Sequence, residues 1–325
     1  MSARQASPLG VVRAATRPWP GLFWLNVLLW TLFHVLPVFY GIAVGWVFDA
    51  LAAGDPNAVQ EGIFLFGAVV LARVGTFELG VWRYSLFWHR WRVLLQRNLL
   101  AWLLTADGSR VPPSATGAAV STFREDVDEL VEYVENWIDG GGLVAFVLVA
   151  LGVLVSIDPL LTGVVIVPMV LAAVLNRMMS DTIRDRRTHL RLATESVTGY
   201  LGDVFRAIMP VKAAGVEHRL LSHLEDLNET RNDAALRDTA ITEILRSVVQ
   251  NMANIATGLV LIVGAGSHRE GALSVGALAT FVVYIPRLTN YLAWAGEIGA
   301  QRARTDVAGG RLRRLSVDAA DEGLL

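Results

Sequence analysis

Lysine occurs once in this chain of 325 residues, at Lys212, directly after Val211. A phosphate-cradling loop of the form G-x-x-x-x-G-K-[ST] needs its lysine behind a glycine, so that the ammonium reaches the terminal phosphates of a nucleotide. The chain therefore carries no nucleotide site of that kind. Cysteine is absent, which removes disulfides, thiolate metal sites and cysteine nucleophiles together. His218 and His223 stand about 140° apart around a helix and read as solvated positions rather than metal ligands. The acidic series Glu125, Asp128, Glu129, Glu132 and Glu135 could supply paired carboxylates for acid–base work, but no nucleophile or metal partner accompanies it. Its spacing reads as the wet face of a helix. No catalytic, cofactor-binding or metal-binding residue is assigned.

Charges set inside apolar stretches carry more information. Arg73, Glu78 and Arg287 fall about 16, 24 and 18 Å along their helices from the outer ends. Placing each in hydrocarbon costs about 2.5 to 3.5 kcal/mol, so all three should face protein or water rather than lipid. Arg73 and Glu78 point in different directions on one helix, which leaves Glu78 with Arg287 as the candidate pair across two helices. A structural ion pair or a snorkelling arginine is the plainer account. Gln250, Asn254 and Thr257 fall at i, i+4 and i+7 of another apolar segment, where they can line a solute path or hydrogen-bond neighbouring helices. These six residues are the candidate cavity set.

The elements that must position them follow from hydropathy. The chain is 54% hydrophobic and 18% charged, with a mean hydropathy of +0.46, too apolar for an ordinary soluble protein. Its net charge of -2 balances 28 cationic against 30 acidic side chains and points to no nucleic-acid partner. Six apolar segments lie in three close pairs, at about 21–48, 62–82, 140–157, 160–176, 247–267 and 275–294. The first would extend roughly 40 Å as a helix against a hydrocarbon core of about 30 Å, far longer than the apolar core of a signal peptide. Gly54-Asp55-Pro56-Asn57, Asp158-Pro159 and the Gly264–Ser274 loop mark the outer turns. Pro168 should kink the fourth span rather than end it. Arg269 is the one Lys or Arg in those turns, which predicts both termini inside.

Between the pairs run two long segments whose apolar residues keep helical spacing. Phe87, Trp91, Leu94, Asn98 and Trp102 form one stripe, and Val127, Leu130, Val131, Val134 and Ile138 form another on the returning helix. Leu190, Ala193, Val197, Leu201, Val204 and Ile208 descend in the second excursion, and Leu220, Leu224 and Leu227 open its return. The predicted architecture is an all-α membrane protein of six transmembrane helices with long cytoplasmic helical extensions. An amphipathic stretch, Pro8 to Pro20, precedes it, the membrane domain covers 21–300, and 301–325 form a cytoplasmic tail or linker.

At the two excursion tips the residues resemble the transmembrane domain of ABC exporters of the six-span half-transporter type. Thr116-Gly117, Ser121 and Asp126-Val127-Asp128 match that family's first tip, with Thr122 where arginine is usual. Asp203, Ile208, Lys212 and Glu217 are similar to its second tip, with Ala207 where glycine is common. Gly271-Ala272-Leu273-Ser274-Val275-Gly276 with Phe281 and Tyr284, then Arg302-Ala303-Arg304 with Arg311, look like the start and end of its last helix. The likeness covers most of the chain.

The resemblance implies an elbow helix at Pro8–Pro20 and coupling helices at Ser114–Ser121 and Ala213–Leu221. The residues it assigns to coupling are Ser114, Thr116, Gly117, Ser121, Lys212, Ala213, Gly215 and Glu217. It implies a multi-pass protein of a bacterial inner or plasma membrane, working with a second membrane half, identical or different. A nucleotide-binding domain, on a separate chain or on a continuation of this one, would hold ATP and magnesium. The competing readings are an ATP-independent secondary transporter or channel and a non-transporting regulatory subunit. Against the first stand the absence of an inverted repeat in the spans and of paired Gly/Pro-broken helices.

Overall fold

The computed structural model describes residues 8–105, 122–269, 271, 273–291, 305 and 308. Among these the chain is helical almost throughout and contains no strand. The helices are α1 Pro8–Thr16, α2 Pro20–Val35, α3 Val38–Ala53, α4 Pro56–Thr105, α5 Val127–Ile157, α6 Pro159–Arg206, α7 Ile208–Ala214 and α8 Glu217–Arg269. A π turn, Thr122–Asp126, leads into α5, and α9 spans residues 275–291. Five stretches are long and apolar enough to cross a membrane. The sixth expected span is α9, and its last three positions lie outside the described residues.

The expected first span, 21–48, is apolar throughout but is built from two helices. Pro37 has no N–H to offer the carbonyl a turn earlier, so the ladder breaks there. Tighter bonds replace it, Phe39 N to Leu36 O at 3.0 Å and Tyr40 N to Pro37 O at 3.1 Å. α3 then runs to Ala53, where Gly54 adopts φ 69° and closes it. α4 continues unbroken for 50 residues, roughly 75 Å at 1.5 Å per residue, so span two and its extension are one rod. α6 passes Pro168 without ending.

The chain divides into two units, residues 1–163 with 259–325, and residues 164–258. In the first, a core joins Val11, Val12 and Ala15 of α1, Phe23 of α2, Phe87, Trp91 and Leu95 of α4, and the full predicted stripe of α5 from Val127 to Ile138. Leu94 and Asn98 belong beside that core rather than in it: the buried row of α4 is Phe87, Trp91, Leu95 and Leu99. Those residues step by four, the ridge that packs into a neighbouring helix, and the shift leaves Asn98 half-solvated. The acidic face of α5 is not uniformly wet. Asp126, in the π turn before α5, is buried, and on α5 itself Arg92 of α4 grips Asp128 through both Nε at 2.9 Å and Nη2 at 3.0 Å.

In the second unit the extensions of α6 and α8 meet along a narrow seam. Val197 is buried and Leu190, Ala193, Leu201, Val204, Leu220, Leu224 and Leu227 are half-buried, while Ile208 is exposed. Tyr200 donates to the Leu220 carbonyl at 3.0 Å, and His223 sets its ring edge-on to Tyr200. The short helix expected at Ala213–Leu221 lies earlier, at Ile208–Ala214. Gly215, with φ 63°, ends it, and Glu217 already opens α8. A left-handed glycine interrupts any helix drawn through it.

Aspartates start the helices that follow the short turns between paired apolar segments. Asp55 accepts from the N–H groups of Asn57 and Ala58 at 2.9 and 3.2 Å, and Asp158 accepts from Leu160 and Leu161 at 2.8 and 3.1 Å. For α9 the aspartate is borrowed from another helix: Asp49, near the end of α3, accepts from Gly276 N–H at 2.7 Å and from Ser274 Oγ at 2.9 Å. Below it the two helices touch backbone to backbone. A Cβ on Gly45 would strike the Thr280 hydroxyl and the Gly276 carbonyl, one on Gly276 the Gly45 carbonyl, and one on Gly41 the Tyr284 ring. Thr280 Oγ1 donates to Gly41 O at 3.0 Å, and the Tyr284 hydroxyl donates to Val38 O.

Gly45→Val should therefore cost about 1 to 3 kcal/mol by overpacking. Gly67, on α4, has nothing within 4 Å of an added Cβ, and Gly67→Val should leave the detergent-solubilised melting temperature nearly unchanged. Equal melting temperatures for the two variants would contradict this packing.

Candidate functional site

Phe33 and Tyr40 are seven residues apart, two turns of helix, and lie on either side of the Pro37 break. Each carries a guanidinium on its ring face. Arg73 of α4 sits 4.4 Å from the Phe33 centroid, and Arg287 of α9 sits 4.8 Å from that of Tyr40. Such contacts contribute about 2 kcal/mol or more when desolvated. The rings of Phe33 and Tyr40 thus seat two guanidiniums about two helical turns apart, and Tyr291 of α9 sets its ring 6.0 Å from that of His34.

Aromatic rings fill the surroundings. Phe77 lies 5.4 Å from Phe33, Phe66 lies 5.2 Å from Tyr40, and Phe146 meets Tyr291 edge-on at 4.8 Å. No carboxylate forms an ion pair with either arginine among the described residues. Arg73 Nε and Arg287 Nη1 are buried without a hydrogen-bond partner there. The expected pairing of Glu78 with Arg287 does not occur. Glu78 is exposed, because five residues of helix carry it about 140° around α4 and roughly 7.5 Å past Arg73.

Next to Phe33 along α2 the charge reverses. Asp139 of α5 lies 3.3 Å from His34 Nε2 of α2. That contact needs the two helices close, and Gly142 permits it, since a Cβ there would meet the His34 ring and the Trp30 carbonyl. Just below the third span, burial raises the Glu135 carboxyl above the usual carboxylate range. The Tyr84 phenol opposes that rise, while Asp139 and Glu132 add to it.

The other polar candidates, Gln250, Asn254 and Thr257, belong to the chain's second unit. Gln250 and Asn254 are exposed on α8, and Asn254 bonds Asn251 Oδ1 at 3.3 Å. The Thr257 hydroxyl returns to its own helix, donating to Ala253 O at 2.9 Å. Of the tip residues, Ser114, Thr116, Gly117 and Ser121 lie outside the described residues. Lys212 and Ala213 sit in α7, Gly215 caps it and Glu217 begins α8; all four are exposed. No residue of α7 is buried, and Phe205 and Met209 are 70% and 74% exposed.

Residue-type reasoning from the sequence left Phe33, His34, Tyr40 and Asp139 out of the candidate set. The available signal was the seven-residue spacing of two rings opposite two arginines of equal depth.

Residues 23–292 match the family described as ABC transporter transmembrane region. A multidrug efflux ATP-binding/permease protein of Mycobacterium bovis is 30% identical over 130 residues, covering 40% of this chain and 11% of that protein. A Mycobacterium tuberculosis protein of the same description matches equally. The Bacillus subtilis protein YgaD, named provisionally as a multidrug export ATP-binding/permease protein, is 20% identical over 286 residues, 84% of this chain and 49% of its own length. The chain thus spans half or less of the relatives it matches.

Because the folded state holds Glu135 protonated to a higher pH than the unfolded chain does, this carboxyl weakens the fold as pH rises through and above its unfolded pKa. Glu135→Gln should raise the melting temperature at neutral pH, and the advantage should vanish on acidification below the ordinary glutamate range. A pH-independent difference between variant and wild type would show that ionisation of Glu135 is not its origin.

Proposed function

Because the chain belongs to the family of ABC transporter transmembrane regions, we propose that it is the membrane half of an ATP-driven exporter. It pairs with a second half, identical or different, so that roughly twelve spans enclose a central path through a bacterial inner membrane. The termini and the long extensions lie on the cytoplasmic side, in keeping with the arginine-poor outer turns. Nucleotide-binding domains, on a partner chain or on a continuation of this one, bind ATP and magnesium. The exporter assignment agrees with the names of the mycobacterial and Bacillus relatives.

One observation carries the coupling part of this reading. Helices of 48 and 53 residues are joined through a seven-residue helix with no buried residue, whose approach and first turn expose Phe205 and Met209. Large apolar side chains held out on a short rigid turn suit the groove of a partner. The rods behind that turn are continuous hydrogen-bonded helix, so displacement at the tip reaches the span as motion of a packed body rather than being absorbed in a loop. Lys212 and Glu217 flank the knob and supply charged contacts at its rim. The tip at 114–121 is assigned the same role.

The test is reconstitution in proteoliposomes with the nucleotide-binding domain encoded alongside or in continuation of this chain. Met209→Glu should cut ATP-driven efflux by about tenfold or more, as loss of a central apolar anchor does at other interfaces, with insertion and melting temperature unchanged. Wild-type efflux by Met209→Glu would remove this knob from the coupling path. Solute flux driven by an ion gradient without nucleotide would favour the secondary-transporter reading.

A further inference from the structure

Two arginines seated on rings seven residues apart, with no carboxylate paired to either among the described residues, require an explanation. Arg73 lies eleven residues past Gly62 and Arg287 twelve past Val275, about 16 and 18 Å from the outer ends of their spans, close to the centre of a hydrocarbon layer of about 30 Å. Like charges held about two helical turns apart in a medium of low dielectric repel. The aromatic faces beneath them, Phe33 and Tyr40, offer partial compensation, but a ring quadrupole does not neutralise a cation. Asp139 already faces His34, and Glu78 is exposed.

We propose that Arg73 and Arg287 form the anion-binding element of the transport path, and that the substrate is an amphipathic anion, an apolar body bearing a carboxylate, sulfonate or phosphate. This rests on the reading of the chain as half of a transporter. A planar guanidinium bonds such oxyanions through two parallel N–H groups, and Arg73 Nε and Arg287 Nη1 have those donors uncommitted. The apolar body packs on the rings of Phe33, Tyr40 and Tyr291, which flank the two cations. Opposing helices supply one cation each, α4 and α9, so a shift of either helix separates them and weakens the site. A single headgroup is thereby held in one arrangement of the spans and released in another. A cationic drug meets two like charges at this depth and is excluded.

The chain in phosphatidylcholine nanodiscs, without nucleotide, tests this directly. The probes are dansylaminoundecanoate and a dansyl-undecylammonium of matched length, followed by dansyl fluorescence. Wild type should bind the anion about tenfold or more tighter than the cation, the equivalent of one lost charge-assisted bond. Arg73→Met and Arg287→Met should each abolish that preference, and Arg73→Lys should retain most of it. The same two methionine variants should raise the melting temperature of the ligand-free chain, because each removes an unneutralised charge from the bilayer interior; a structural ion pair would give the opposite sign.

Displacement of the dansyl anion by phosphatidate doped into the disc assigns the anion to a lipid headgroup, whereas displacement by taurocholate alone assigns it to a free amphiphile. Displacement by neither, equal binding of the two probes by wild type, or folded methionine variants that keep the preference would each overturn the proposal. Those failures leave the Met209 coupling test untouched, and failure of that test leaves this binding measurement standing.

Discussion

The close approach of the first and last spans in the chain is the constraint from which the site follows. Without hydrophobic driving force between helices in lipid, packing depends on how near two backbones can come and on what polar groups they share. Gly41, Gly45 and Gly276 remove the side chains that would hold α3 and α9 apart, and Thr280, Tyr284 and Asp49 then bond across the gap. Asp49 also supplies the cap that α9 lacks in its own preceding loop. These contacts fix the rotation of α9, and with it the position of Arg287 eleven residues further along, over the ring of Tyr40.

The second position is set from the other side of Pro37. A straight helix would carry Phe33 and Tyr40 on one line; the break lets α2 keep its own contacts, with Trp30 and His34 against Gly142 of α5, while α3 keeps its glycine face on α9. The loss of a ladder bond at Pro37 thus serves two packing surfaces that one rigid rod could not satisfy together. Arg73 then meets Phe33 from α4. The two arginines converge because three helices are each held by something else.

The nearly all-helical course, the aspartate turns and the α5 stripe were legible in the sequence because each depends on local pattern. Val127 to Ile138 obey the 3.6-residue period and are buried as expected. Asp55-Pro56 and Asp158-Pro159 announce caps in the order of the residues themselves. What failed required information that no short window contains. Leu95 and Leu99 are chosen over Leu94 and Asn98 by the ridge of the neighbouring helix. The tip helix was drawn through Gly215, whose φ of 63° forbids it. The continuous apolar run over Pro37 hid a break that hydropathy cannot register. Counting puts Arg73 and Arg287 at similar depth, but the rings they reach depend on the rotation of two helices distant in sequence, and the expected Glu78–Arg287 pair needed that same angle.

The charge pattern along the spans also bears on which way a substrate is received. Acidic groups of α5, Asp128, Glu135 and Asp139, would by themselves repel the proposed anion on its way to the arginines. The structure mutes them. Asp139 faces His34, Asp128 is held by both nitrogens of the Arg92 fork, and burial favours the neutral form of Glu135. The Arg73–Arg287 pair has no comparable partner among the described residues. At short range, where screening by water is weakest, the unneutralised cations therefore outweigh the compensated acids. An anion of the proposed kind would therefore be drawn to Arg73 and Arg287 more strongly than these paired or neutralised acids would repel it.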